Sequence, residues 1–292
     1  MSDAAFNALA TTRYGTFLYN KNDLYIGRSI ELYGEVNELE IQLLRAVCSP
    51  GSVVLDIGAN IGGHTVPLAQ HVGREGAVLA FEPQRIVFQT LCATVALNSL
   101  TNVDCYWAAF GESSGAVRIP EIDYTRAANF GALELDALER GRPVQQVMLD
   151  GFLTLSRVDL IKIDVEGMEE RVLRGGAQFF KKFRPMLYVE NDRVEKSPGL
   201  IRALWGLGYR LFWHLPSFFN PQNFRGNADN AFPHLIASNM LCFPREVPIA
   251  VPAAQEMRRR RRSPHEDPPA VGGGTFRPHR PVKPGPPQAD AT

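Results

Sequence analysis

The chain has 292 residues with 45% hydrophobic content, enough for one large α/β domain or two small ones with a full core. Basic and acidic residues balance at 31 each, but residues 253–292 hold eight Lys/Arg and four Asp/Glu. The first 252 residues then carry 23 against 27, net −4, which argues against nucleic acid as the main substrate. The four cysteines have no zinc or disulfide spacing, so a reduced, cytoplasmic protein is expected; no apolar run is long enough to span a bilayer, and no secretory signal is visible.

Residues 1–48 read as an N-terminal arm and a flanking helix. Aromatics mark the arm (Phe6, Tyr14, Phe17, Tyr19), and Val36, Leu39, Leu43, Leu44 and Val47 recur at helical spacing over Glu35–Val47. Ser49-Pro50-Gly51 breaks that helix and opens the main domain, 49–250. Val53, Val54 and Leu55 form a short buried strand that ends in Asp56. Gly58, Gly62 and Gly63 then bend the chain into a helix over His64–His71.

A strand, a glycine turn and a helix open a doubly wound α/β domain, whose ligand lies at the carboxyl ends of the strands. Glycine lets a ligand rest on the peptide planes. A dinucleotide turn wants Gly-x-Gly-x-x-Gly; here the spacing is Gly58-x-x-x-Gly62-Gly63, with a carboxylate two residues ahead of it. That carboxylate would repel a pyrophosphate and suits the sulfonium of S-adenosylmethionine (SAM), so the spacing favours SAM.

Ala77–Phe81 is the second strand and ends in Glu82-Pro83. A carboxylate at this strand end, 20 residues past Gly62, is placed to accept both ribose hydroxyls; the alternative is a plain helix-start acid. A helix over Ile86–Leu97 and a strand over Asn102–Ala108 follow, with a hairpin turn at 111–115 leading into Ala116–Ile119. Residues 120–143 lack a regular pattern. Such an insertion is often functional, and Asn129 within it is placed either to reach the methionine end of the cofactor or to sit in a solvated loop. Val144–Leu149 is strand-like.

Val158–Ile163 reads as a buried strand with Asp164 at its end, and Glu166-Gly167 as the start of a helix that turns Met168, Val172 and Leu173 inward. Lys162, Asp164, Glu166 and Glu169 gather four charges at one strand tip. Such a cluster marks an active site, or a lysine–carboxylate staple. Phe183–Val189 is the next strand, ending at Glu190-Asn191-Asp192; a helix over Leu200–Leu207 and a strand over Tyr209–Trp213 follow. Pro216–Pro233 mixes aromatics with amides, fit for a sugar-like acceptor or for a packed loop. Met240–Phe243 is the last strand, placed as an antiparallel edge. Residues 251–292, rich in proline and arginine, read as a disordered tail whose Arg258–Arg262 block suits an anionic surface.

Three blocks now stand in order: Asp56-Ile57-Gly58-Ala59-Asn60-Ile61-Gly62; Phe81-Glu82-Pro83; and Lys162-Ile163-Asp164-Val165-Glu166-Gly167-Met168-Glu169 with Val172-Leu173-Arg174-Gly175. Together they resemble the FkbM family of SAM-dependent methyltransferases over roughly Val53 to Glu190. The resemblance implies a class I methyltransferase fold, a Rossmann-like, mostly parallel seven-stranded sheet. It also implies SAM as cofactor, with Asp56, Gly58, Asn60, Gly62 and Glu82 around it and Asn129 of the irregular loop as a further candidate read from the loop alone, and O-methylation of a sugar of a glycan or glycolipid, or of a natural product.

Methyl transfer needs acceptor oxygen, methyl and sulfur in line, and an alcohol needs help losing its proton. Asp164, Glu166 and Glu190 are the catalytic candidates, with His214 a further possible base. Asp164, Glu190 and Asn191 also form an all-oxygen set that would suit Mg²⁺. The competing readings are an NAD(P)-dependent oxidoreductase and a non-catalytic fold relative that binds a partner.

Overall fold

The protein is described by a computed structural model over residues 5–131, 141–248 and 256–257. The Arg258–Arg262 block and almost all of the expected tail lie outside the described residues, as do residues 132–140 of the expected insertion.

The chain opens with a hairpin, β1 (Asn7–Thr12) antiparallel to β2 (Gly15–Asn20). Phe17 and Tyr19 bury their rings with Ile30, Ile61, Val66 and Val87, so this segment packs onto the main domain. Next come α1 (Ile26–Tyr33), which the sequence did not announce, and α2 (Glu38–Val47), the expected flanking helix. Five elements then alternate within two residues of expectation: β3 (Val53–Ile57), α3 (Thr65–Val72), β4 (Ala77–Phe81), α4 (Arg85–Leu97) and β5 (Val103–Tyr106).

The short strands β6 (Ala109–Phe110), β7 (Gly115–Ile119) and β8 (Arg142–Val147) form a separate three-stranded sheet. Its order is β6-β8-β7, so β8 lies where a hairpin would have paired the other two directly. The chain continues with β9 (Leu160–Ile163), α5 (Glu169–Arg174), α6 (Ala177–Phe183), β10 (Met186–Glu190) and α7 (Ser197–Gly206). It ends in β11 (Tyr209–His214), β12 (Asn239–Pro244) and the two-residue β13 (Glu256–Met257).

The main sheet has the order β13-β11-β12-β10-β9-β3-β4-β5. Strands β3, β4, β5, β9 and β10 pair in parallel, whereas β12 is antiparallel to both β10 and β11. The antiparallel strand was expected at the edge. It lies inside the sheet instead, and β13 takes the edge beside β11, also antiparallel. All six residues of β12 are buried, and a run apolar on both faces belongs in a sheet interior.

Both faces of the sheet are covered. Leu55, Ile57, Ile161, Ile163, Leu187 and Val189 share one apolar cluster with residues of α5, α6 and α7. Val54, Val78, Leu160 and Tyr188 share the other with Leu44 of α2 and Leu68 and Val72 of α3. Alternate residues of each strand point to opposite layers, which is why β3, β9 and β10 are mostly apolar, with Asp56, Lys162 and Glu190 toward their carboxyl ends.

Candidate cofactor and catalytic site

At the carboxyl end of β3 the chain bends at Gly58 (φ +82°), Asn60 (φ +50°) and Gly62 (φ +97°). These are left-handed conformations that glycine tolerates and asparagine tolerates better than most residues. A Cβ on Gly58 would lie 1.8 Å from the Asp164 carbonyl oxygen, so only glycine lets the tips of β3 and β9 meet. Asn60 is fixed by its own neighbours: its Oδ1 accepts the Ile61 N–H at 2.8 Å.

Glu82 ends β4 and is buried. Its Oε2 accepts the Asn60 N–H at 3.0 Å and its Oε1 accepts the Gln84 N–H at 2.8 Å, so the carboxyl is aimed by backbone from both sides. Burial pushes its pKa up to about 7, against the pull of those two N–H groups. The second lone pair of each oxygen remains for a ligand.

Glu82 and Gly58 line a small cleft of about 50 Å³ that opens to solvent. Phe81, Ala108 and Phe110 give it an apolar wall, while Asp164 and Glu166 stand at its polar end. An apolar wall for a base, a two-pronged acceptor for a diol and bare peptide planes at the glycine bend fit the three parts of SAM. Asn129 is exposed and its Oδ1 accepts the Gly131 N–H at 3.1 Å; it is Gly131 that borders the cleft.

Asp56 sits apart from this cleft. It is fully buried, with its Oδ2 accepting the Thr65 hydroxyl at 2.6 Å, and it holds the start of α3. Its Oδ1 faces Lys162 at 3.5 Å. Lys162, also buried, reaches Asp164 Oδ2 at 3.1 Å and donates to the Gly58 carbonyl at 2.7 Å. Burial disfavours the ammonium, but Asp164 and Asp56 outweigh it and hold the pKa above the ordinary lysine value. The staple is therefore real and ties β9 to the glycine bend.

The expected helix start at Glu166-Gly167 is instead a left-handed turn, with φ of +56° and +91°. Helix α5 begins at Glu169, whose Oε1 accepts the N–H groups of Val165 and Gly167 at 3.1 and 3.0 Å. The turn lifts Glu166 toward Glu190, and Arg193 meets Glu166 Oε2 at 2.6 Å. Burial first, and Asp164 second, push Glu166 up to about 8, against Arg193. Burial, Asp164 and Glu166 raise Glu190 well above the carboxylate range, and its Oε2 is buried without a hydrogen-bond partner.

Asp164, Glu166 and Glu190 thus converge, each offering a carboxylate oxygen within 4.8 Å of the others. Asn191 does not join them: it is buried and its Nδ2 donates to Met240 Sδ at 3.3 Å. Three carboxylates at this spacing could hold a divalent ion, although Lys162 and Arg193 already meet two of them. Arg193 went unnoticed in the sequence because nothing local ties it to Glu166, 27 residues away.

The loop after β11 takes its packed form. Asn220 Nδ2 donates to Glu35 Oε1 at 2.7 Å, Asn223 Nδ2 to the Asn227 carbonyl at 2.7 Å, and Asn230 Oδ1 accepts the Phe232 N–H at 2.9 Å. These amides serve the loop's own backbone and its anchor on Glu35.

The sequence profile of the "Methyltransferase FkbM domain" family matches residues 56–211, just over half of the chain. "Methyltransferase 1" of Beauveria bassiana (strain ARSEF 2860) is 27% identical over 145 residues, covering 42% of this chain and 58% of that protein. The chain therefore spans less than two thirds of that relative's length. Two solved structures are similar in outline. One is methyltransferase FkbM from Methylobacillus flagellatus KT, at 16% identity and TM-score 0.44, covering 70% of this chain and 51% of that one. The other is a putative rRNA-methylase from Clostridium thermocellum, at 12% identity and TM-score 0.44, covering 72% and 95%. Both likenesses are too distant to bear on function. The family match takes in the glycine bend, Glu82, Lys162 and the three converging carboxylates, and on it the chain belongs to the FkbM family of SAM-dependent methyltransferases.

Proposed function

We propose that this protein moves the methyl group of SAM onto a hydroxyl of a small-molecule acceptor, a sugar of a glycan or glycolipid or a natural product. The observation that carries the reading is the convergence of Asp164, Glu166 and Glu190 beside the Glu82 cleft. When bound, SAM supplies an electrophilic methyl on a sulfonium. Glu82 accepts the ribose hydroxyls, and Gly58, Asn60 and Gly62 leave the methionine end room against the peptide planes. The three carboxylates favour a cation at the cleft's polar end and accept hydrogen bonds from a polyhydroxy acceptor, which orients it for in-line attack. Asp56 acts from beneath, by holding Lys162 and the start of α3.

The acidic balance of the first 252 residues supports a non-nucleic-acid acceptor, and the buried free thiols of Cys48 and Cys242 support a cytoplasmic setting. Among the described residues no helix is long and apolar enough to cross a membrane. The test is calorimetry with SAM and with NAD, then mass spectrometry of glycan, lipid and small-molecule fractions from cells with and without the protein. SAM binding together with loss of one CH₂ from an oxygen-bearing product is expected. Binding of NAD in place of SAM would overturn the assignment.

A second reading gives the same three carboxylates Mg²⁺. The unpartnered Glu190 Oε2 favours it, and saturation of turnover with Mg²⁺ after EDTA treatment is its signature. Unchanged turnover in EDTA removes it.

A further inference from the structure

On the far side of Pro83 and Gln84 from the cofactor cleft lies a second, larger cavity of about 360 Å³. The start of α4, the 119–124 segment at the end of β7 and the start of β8 enclose it. Asp164, Glu166 and Glu190 are not among the described residues that line it. Gln84 is the wall between cleft and cavity. Its N–H donates to Glu82 and its Nε2 to the Phe130 carbonyl, each at 2.8 Å, while its Oε1 accepts the Tyr124 hydroxyl at 3.2 Å. The wall is therefore fixed at three points, and the two spaces stay separate.

The cavity has an apolar side and a cationic one. Ile86, Ile122, Tyr124 and Val144 make the first, and Arg85 and Arg142 the second. Both arginines are exposed, and among the described residues neither meets a carboxylate within 4.0 Å. Arg85 reaches the neutral Gln89 Oε1 at 3.4 Å. The Arg142 guanidinium lies 5.7 Å from the centre of the Trp107 ring, which is itself fixed by its Nε1 donating to the Pro83 carbonyl at 2.8 Å. Helix α4 adds the positive end of 13 residues, with no side-chain cap and no acid in its first turn. Two acids also line the cavity. Asp123 is already engaged, since its Oδ1 accepts from the Thr125 N–H and hydroxyl and Arg126 faces its Oδ2 at 3.4 Å. Glu121 offsets one arginine, and the balance stays positive.

We propose that this cavity is a second ligand site, which takes a phosphorylated small molecule with an apolar body. Two guanidinium forks and a helix start are three sets of donors. A phosphoryl group has three oxygens to meet them and carries up to two charges, whereas a carboxylate has two oxygens and one charge. The body leaves water against Ile122 and Val144, and the few polar groups around it fix its orientation. The site stands apart from methyl transfer, because its ligand lies behind Gln84 and meets none of the three carboxylates.

Calorimetry on the full chain tests the site with three probes. Phenyl phosphate carries both features, inorganic phosphate the anion alone, and benzoate the same ring on a carboxylate. Phenyl phosphate should bind about tenfold more tightly than either of the others, with saturating SAM present as well as without it. Arg85→Gln and Arg142→Gln should each weaken it by about tenfold, with Tm and SAM affinity unchanged. Glu121→Gln removes the opposing charge and should tighten it. Absence of phenyl phosphate binding overturns the inference, as does equal binding of benzoate or of inorganic phosphate. An affinity that both arginine substitutions leave unchanged, or that Glu121→Gln weakens, overturns it too. Displacement of phenyl phosphate by SAM would show that the cavity belongs to the cofactor site, and that outcome also sinks the proposal.

Discussion

Gly58 and Asp164 approach so closely that a Cβ on the glycine would stand 1.8 Å from the aspartate's carbonyl oxygen. Gly58→Ala must therefore part the tips of β3 and β9, and it adds a left-handed alanine as well. The strain of the conformation and the overpacking together should cost about 3 kcal/mol or more. A fall in Tm with a loss of SAM affinity by calorimetry is expected. A variant with wild-type melting would show that the two strand ends are free to separate.

Lys162 is the buried cation between Asp56 and Asp164. Lys162→Met leaves two carboxylates facing one another without it and should destabilise the fold by about 3–5 kcal/mol. Adding Asp56→Asn removes one of the stranded charges, so the double variant should be more stable than Lys162→Met alone. Denaturant unfolding of the four proteins gives the cycle, and strict additivity would mean that the pair does not interact.

Glu82 makes both stability and cofactor affinity depend on pH. Its folded pKa of about 7 lies above the ordinary 4.5, so the folded state holds a proton that the unfolded state has lost. The stabilisation is complete below pH 4.5, declines as pH rises toward 7 and is gone above it, a change of about 3 kcal/mol. Ribose hydroxyls favour the ionised form, so SAM should bind more tightly as pH rises from 5 to 7, by up to about tenfold per unit, with a proton released. Melting curves and calorimetry in two buffers read both effects. In Glu82→Ala both slopes should flatten, and the affinity should fall.

Glu35 anchors the loop after β11. Its Oε1 accepts from Asn220 and its Oε2 accepts the Phe224 N–H at 2.8 Å, while Arg13 pairs with it at 2.7 Å. Glu35→Ala leaves the Asn220 amide and the Phe224 N–H without this acceptor, while Arg13 keeps Gln222 and Glu38, and it should cost about 2–4 kcal/mol. Limited proteolysis should then cut within residues 216–233 before the rest of the chain unfolds. An unchanged digestion pattern would locate the loop's anchor elsewhere.

The strand–glycine–helix unit at Val53–Val72, the acid at the end of β4 and the charges around Lys162 are legible because each is a local pattern with a local cause. The position of β12 is not, since strand order is decided between segments far apart in the chain. Asp56 shows the same limit. Its place before the glycines suggests a ligand, but its actual partners, Thr65 and Lys162, appear only when β3, α3 and β9 are assembled. The amides of the 216–233 loop look like recognition groups until the loop's own backbone claims them.

The slot that β12 fills has a consequence for how the molecule is made. Strands β10 and β11 do not touch; each is paired to β12, which is the later of the three to leave the ribosome. Until residue 244 emerges, two apolar rows of unpaired peptide groups face each other across a gap one strand wide. Such rows invite pairing with other chains. A chain halted before Asn239 should therefore be insoluble or chaperone-bound even though it already holds every residue of the cleft.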